Sequence, residues 1–219
     1  MTRVKICGIS QQAHALAVIE AGADFIGLVF TQSQRQVTLP QAQDIVSAVK
    51  KCSEATAVVG VFVNMPADEV NRIAHSCNLD WVQLSGDEPW EYCHQITRPL
   101  IKAVRIKEGQ RPEEICADLA CGAKVLASQR YIYLLDSQVK GKYGGTGMTF
   151  DWGLARQAAE HFPVIIAGGL TPENVAQAIK MVAPWGVDVS SGVEVGGVKD
   201  IAKIRTFIEA VRRADDSQR

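Results

Sequence analysis

Residues 164–192 read VIIAGGLTPENVAQAIKMVAPWGVDVSSG. An apolar run, Val164-Ile165-Ile166-Ala167, meets two glycines and then a helical pattern. Thr171 is placed as an N-cap and Pro172 at the first helical position, which predicts a helix over 173–182. A second short apolar run at 187–189 ends in Ser190-Ser191-Gly192. Strand, helix and strand within about 30 residues make a βαβ unit, and such strands pair in parallel.

The same pattern repeats outward in both directions. Strands are predicted over 4–7, 25–30, 57–63, 81–84, 100–106 and 131–135. Helices are predicted over 11–21 with Ser10 as N-cap and Gly22 as stop, over 41–50 after Pro40, and over 67–76 after Pro66. Others follow over 90–96, 113–120 and 151–161, with a last helix from Lys199-Asp200 to near Arg213. The 219 residues thus divide into eight β/α units. A closed (β/α)8 barrel usually has about 250 residues, with about 200 as a lower bound. The alternative is an open doubly wound sheet, which more often uses about five or six strands. The expectation is a single-domain α/β TIM barrel over residues 1–213, with a frayed polar tail over 214–219.

Composition narrows the function. Lys+Arg is 23 and Asp+Glu is 24, a net charge of −1, which excludes a bulk basic footprint for nucleic acid. No apolar run reaches the roughly 18–20 residues of a membrane span, and the start carries no signal-peptide pattern. The six cysteines form no CxxC pair, so neither a metal site nor a disulfide framework is expected. A cytoplasmic location follows. Trp81, Trp90, Trp152 and Trp185 read as packing residues, and the four histidines have no ligand spacing. These features set no oligomeric state.

In a barrel, chemistry sits where strands end. Glycines follow three of them: Gly144-Gly145-Thr146-Gly147, Gly168-Gly169 and Gly192 after Ser190-Ser191. A barrel's usual phosphate site uses the loops after strands 7 and 8 and a short extra helix, which Ser190-Ser191-Gly192 could open. Alternation along strand 1 puts Lys5 and Cys7 inside, and Val4 and Ile6 against the helices. An interior lysine needs a partner, and Asp188 on the adjoining strand 8 is the candidate. By itself Cys7 reads as a small core residue; Lys5 nearby could lower its pKa and make it a base. Asp136 is either a solvated turn residue or a shielded acid, and Arg35 either an exposed loop residue or an anion fork.

The motifs together resemble one family. Lys5-Ile6-Cys7-Gly8-Ile9, Val59-Gly60-Val61-Phe62-Val63-Asn64, Val82-Gln83-Leu84 and Leu135-Asp136 occur in its order. So do Gly144-Gly145-Thr146-Gly147-Met148-Thr149-Phe150-Asp151-Trp152, Ala167-Gly168-Gly169-Leu170 with Asn174, and Val187-Asp188-Val189-Ser190-Ser191-Gly192-Val193-Glu194 before Lys199-Asp200. The chain is similar to phosphoribosylanthranilate isomerases over nearly its whole length. That resemblance implies the Amadori rearrangement of N-(5-phosphoribosyl)anthranilate to 1-(o-carboxyphenylamino)-1-deoxyribulose 5-phosphate, a step of tryptophan biosynthesis. It implies Cys7 as general base and Asp136 as general acid, with no metal and no organic cofactor. It places the anthranilate carboxylate on Arg35, the phosphate on Gly145, Gly168, Gly169, Ser190, Ser191 and Gly192, and Asp188 facing the substrate. The implied partner is a small phosphorylated molecule, with no nucleic acid and no membrane.

The chain departs from the family pattern in three places. Ser85 stands where members often carry His, and Gln34 where Pro is frequent. The segment Val195-Gly196-Gly197 lacks a usual Pro and is one residue shorter. Two other readings are open from sequence. The aldose–ketose isomerase barrel of histidine biosynthesis would need a second phosphate site in the first half, and no comparable Gly-rich loop occurs there. A barrel that only binds its ligand would need neither Cys7 nor Asp136.

Overall fold

The computed structural model describes residues 1–107, 109–137 and 151–217. Eight parallel strands close into a barrel in sequence order: β1 (Arg3–Cys7), β2 (Phe25–Val29), β3 (Ala57–Phe62), β4 (Trp81–Leu84), β5 (Leu100–Ile106), β6 (Tyr131–Ser137), β7 (Val164–Ile166) and β8 (Gly186–Val189). Helices α1 (Gln12–Glu20), α2 (Leu39–Cys52), α3 (Ala67–Ser76), α4 (Trp90–Cys93), α5 (Pro112–Val125), α6 (Gly153–His161), α7 (Val175–Val182) and α8 (Ile201–Asp216) alternate with them. The open-sheet alternative falls with the β1–β8 pairing, in which Lys5 lies opposite Asp188. Between β8 and α8 lie a 3-10 turn at Ser191–Val193 and a hairpin, β9 (Glu194–Val195) and β10 (Val198–Lys199).

Two apolar layers hold the barrel. Val4, Ile6, Ile26, Leu28, Val58 and Phe62 face outward into the layer shared with the helices. Phe25, Val59, Trp81, Ile101, Ile132, Leu134, Ile165 and Ala167 fill the interior. This is the strand alternation read from the sequence: each strand buries both faces, one on helices and one on the barrel axis. Cys7, Val29 and Val61 form a smaller cluster. Among the described residues, no helix is long and apolar enough to cross a membrane.

Several predicted boundaries move. No side chain caps α1, whose N-cap is Gln11 and not Ser10. The predicted α7 start gives way to Val175. Asn174 explains this: it accepts from Thr171 N at 2.8 Å and donates to Gly169 O at 2.9 Å, closing 171–174 into a turn. α4 is shorter than predicted, and α5 runs past Gly122 to Val125. Gly122 lies under Trp90, where an added Cβ would meet the indole at 2.8 Å, so packing explains a glycine within that helix. The tail expected from residue 214 continues α8 to Asp216. Ala214 is buried, and Asp215 accepts from Thr2 N and Oγ1 at 2.8 and 2.6 Å.

Candidate active site

A cavity of about 530 Å³ opens at the C-terminal ends of the strands. That lies within the roughly 300–1,000 Å³ typical of small-molecule sites. Cys7, Arg35, Asp136, Gly168, Gly169, Asp188, Ser190, Ser191 and Gly192 all line it. Gly145 lies outside the described residues, as does its whole segment 144–147.

β1 delivers Cys7 to the mouth and Lys5 one layer below. Lys5 is fully buried, and its Nζ donates to Asp188 Oδ1 at 3.0 Å. The expected Lys5–Asp188 pair is therefore present. Burial alone would lower the Lys5 pKa, but Asp188 and the Cys7 sulfur outweigh it and raise it above the ordinary value. Cys7 shows the opposite balance. Burial pushes its thiol up more strongly than Lys5 and Lys199 pull it down, with Asp188 pushing it up further. Lys5 therefore acts on Cys7 in the expected direction, but burial outweighs it and leaves the thiol pKa above its ordinary value. Gly27 on β2 makes room for this cluster, because a Cβ there would approach Cys7 Sγ at 2.9 Å and Lys5 Nζ at 3.0 Å.

Asp136 sits within β6, not after it, because β5 and β6 stay paired through Arg105↔Asp136 and Ile106↔Ser137. It is only partly exposed and lines the cavity with Leu134 and Ala103. Arg105, on the neighbouring strand, also lines the cavity; it donates to Asp87 Oδ1 at 2.6 Å and to the Ser85 carbonyl.

After β7, Gly168 and Gly169 take φ values of +84° and +62°. These left-handed conformations are cheap only for glycine and turn the backbone back over the mouth. After β8, Ser190 Oγ donates to Cys7 O at 3.1 Å, tying this loop to the end of β1. The 3-10 turn then begins at Ser191. Successive backbone N–H groups at glycine turns form concavities suited to an anion.

Arg35 enters from the loop after β2. Its Nε and Nη2 donate to the two carboxylate oxygens of Glu194, both at 2.7 Å. Hydrogen bonding to Glu194 raises the Arg35 pKa against the cost of burial. Lys199 Nζ donates to the same carboxylate, and to Ser190 O at 2.9 Å. Burial would raise the Glu194 pKa, but Arg35 and Lys199 together hold it below the ordinary carboxylate value. Sequence reasoning missed this cluster, although Gly-Gly between Val195 and Val198 is itself a hairpin signal. It missed Arg105 on the cavity wall as well, while Ser85, noted as a departure from the family pattern, and Gln83, a motif residue, both line the cavity.

The family described as N-(5'phosphoribosyl)anthranilate (PRA) isomerase matches residues 4–210. The chain belongs to that family. The N-(5'-phosphoribosyl)anthranilate isomerase of Dehalococcoides mccartyi is 46% identical over 218 residues, covering 100% of this chain and 99% of that protein. The Moorella thermoacetica protein of the same name is 48% identical over 99% of this chain and 92% of its own. The crystal structure of the Thermotoga maritima phosphoribosyl anthranilate isomerase superposes with a TM-score of 0.81 at 36% identity, covering 97% of this chain and 100% of that one. Another family structure, in complex with reduced 1-(o-carboxyphenylamino)-1-deoxyribulose 5-phosphate, gives a TM-score of 0.78 at 35% identity, covering 97% and 100%. The family match decides against the histidine-pathway and ligand-binding alternatives.

Proposed function

We propose that this family member catalyses the Amadori rearrangement of N-(5-phosphoribosyl)anthranilate in tryptophan biosynthesis, with Cys7 as base and Asp136 as acid. The observation that carries the reading is that one cavity is lined by Cys7, Asp136, Arg35 and the two glycine- and serine-bearing loops. Asp136 gives its proton to the ribose ring oxygen as the C1–O bond breaks. The anilino nitrogen lone pair then forms a C1=N iminium. Cys7 as thiolate removes the C2 proton; those electrons form C1=C2, and the iminium π pair returns to nitrogen. The enolamine becomes the ketose by gaining a proton at C1 and losing one from the C2 hydroxyl. C1 is reduced as C2 is oxidised, so the step is an intramolecular oxidoreduction that needs no external oxidant and no cofactor.

The remaining groups hold the substrate. Gly168, Gly169, Ser190, Ser191 and Gly192, with Gly145, receive the 5-phosphate. Arg35 receives the anthranilate carboxylate, and Asp188 faces the sugar while it neutralises Lys5. The partner is thus a small phosphorylated molecule, and the setting is the reducing cytoplasm, where the six free cysteines stay unpaired. Acid and base each contribute about 10²–10⁴-fold. The test follows loss of phosphoribosylanthranilate fluorescence in wild type, Cys7→Ser and Asp136→Asn. Each variant should lose at least about 100-fold in kcat with KM changed only a few-fold. Near-normal turnover of Cys7→Ser would refute the base assignment.

A further inference from the structure

The hairpin between the last strand of the barrel and α8 has no part in the chemistry above. Its turn, Gly196-Gly197, has φ values of +59° and +82°, the two left-handed residues of a tight two-residue hairpin loop. That turn fixes the register so that Lys199 lies directly opposite Glu194. The short Val195-Gly196-Gly197 segment thus closes the hairpin that holds these two charges together. Their side chains are only 3% and 6% exposed. A carboxylate this buried is costly unless its oxygens are satisfied, and here Arg35 and Lys199 satisfy them.

We propose that Glu194, set by this hairpin, is the positioning residue for Arg35 and thereby determines preference for a carboxylate on the substrate's aromatic ring. The inference rests on the function proposed above. Arg35 stands on a loop, where a free arginine side chain samples many rotamers. Glu194 takes the Nε–Nη2 edge of the guanidinium and leaves the remaining donors of the fork for a second carboxylate. Lys199 joins the same carboxylate to the carbonyl of Ser190, so the fork is indexed to the loop proposed for the phosphate. The ordering cost of the side chain is met before the ligand arrives.

The probes are reduced 1-(o-carboxyphenylamino)-1-deoxyribulose 5-phosphate and its analogue without the ring carboxylate, titrated calorimetrically. Wild type should prefer the carboxylated ligand by about 10- to 100-fold, the range of a hydrogen bond to a charged group. Glu194→Gln should reduce that preference to about threefold or less and leave affinity for the carboxyl-free ligand within about twofold. Glu194→Gln combined with Lys199→Met, which strands no buried ammonium, should behave the same way. Retained preference in both variants overturns the proposal. So does increased preference, because Glu194 would then be only an anion competing for Arg35. If wild type shows no preference, or Arg35→Met keeps it, the placement of the carboxylate on Arg35 fails instead. If wild type binds neither ligand, the proposed function itself fails.

Discussion

Removing either half of the Lys5–Asp188 pair should move the reactivity of Cys7 in opposite directions. At 3.0 Å and an effective dielectric of about 20, the two charges attract by about 5.5 kcal/mol before the cost of burying them. Lys5 is fully buried and Asp188 is 8% exposed, so the ammonium finds no water when its partner is lost and the carboxylate reaches it only through the cavity. Lys5→Met should therefore destabilise the fold by about 3–5 kcal/mol in urea unfolding. The Lys5→Met/Asp188→Asn double variant should lose less than the sum of the single variants, because it leaves no orphaned charge. The thiol reports the electrostatics separately. Lys5 pulls the Cys7 pKa down and Asp188 pushes it up. Removing Lys5 deletes the downward pull and leaves Asp188 unopposed, so thiolate becomes rarer. Removing Asp188 leaves a buried ammonium whose nearest anion would be the thiolate, so thiolate becomes commoner. Alkylation of the Cys7 peptide by iodoacetamide at pH 8, resolved by mass spectrometry from exposed Cys52 and Cys121, should slow by about tenfold in Lys5→Met and quicken in Asp188→Asn. Shifts of the same sign in both variants would refute the reasoning.

Three further outcomes rest on the same kind of buried contact. The raised Cys7 pKa means that its thiolate fraction grows about tenfold per pH unit below that pKa, so the rate of Cys7 alkylation should rise about tenfold per unit between about pH 7 and 8; a flat alkylation profile there would refute the raised pKa. Gly192→Ala places a Cβ against the Leu170 carbonyl, forcing apart the two loops proposed to hold phosphate, so KM should rise at least about tenfold with a smaller change in kcat. Lys102→Met leaves Glu88, 7% exposed, without the ammonium 2.9 Å away, and should cost about 3–5 kcal/mol in unfolding by denaturant.

The barrel was legible because its strands are apolar on both faces and each ends in punctuation, as at Ala167-Gly168-Gly169. Strand parity also points Lys5 into the barrel, and closure of the barrel sets Asp188 of β8 beside it. Local pattern failed where tertiary contacts overrode it. The helix predicted over 113–120 runs on to Val125 through Gly122, a glycine required there because the indole of Trp90 occupies the space a side chain would need. Asp136 reads as a loop residue, yet pairing with β5 extends the strand through it. The direction of the Cys7 pKa could not be read at all: the sequence shows that Lys5 is near, but whether a cation or burial dominates depends on three-dimensional packing. Glu194 and Lys199 were both in view as motif residues, and only the hairpin register reveals that they share Arg35.

The distribution of charge at the mouth bears on how the proposed reaction is ordered. Lys5 is matched by Asp188, Arg35 and Lys199 share Glu194, and Arg105 meets Asp87. The overall charge of −1 adds no bulk attraction for an anionic substrate. Binding must then draw on backbone donors at the Gly168-Gly169 and Ser190–Gly192 turns and on the outer donors of the Arg35 fork. Phosphate entering such a site brings negative charge and gives Cys7 no help in ionising. Ring opening does help: it creates an iminium cation at C1, next to the carbon whose proton Cys7 must take. A cation placed there favours the thiolate, as Lys5 does, the thiol proton passing to solvent in the open cavity, while the raised starting pKa disfavours ionisation beforehand. On this mechanism the base becomes competent only once the acid has acted. A permanently ionised Cys7 would lose that order, which gives a physical reason for the site to balance Lys5 with Asp188 and not to leave the ammonium to the sulfur alone.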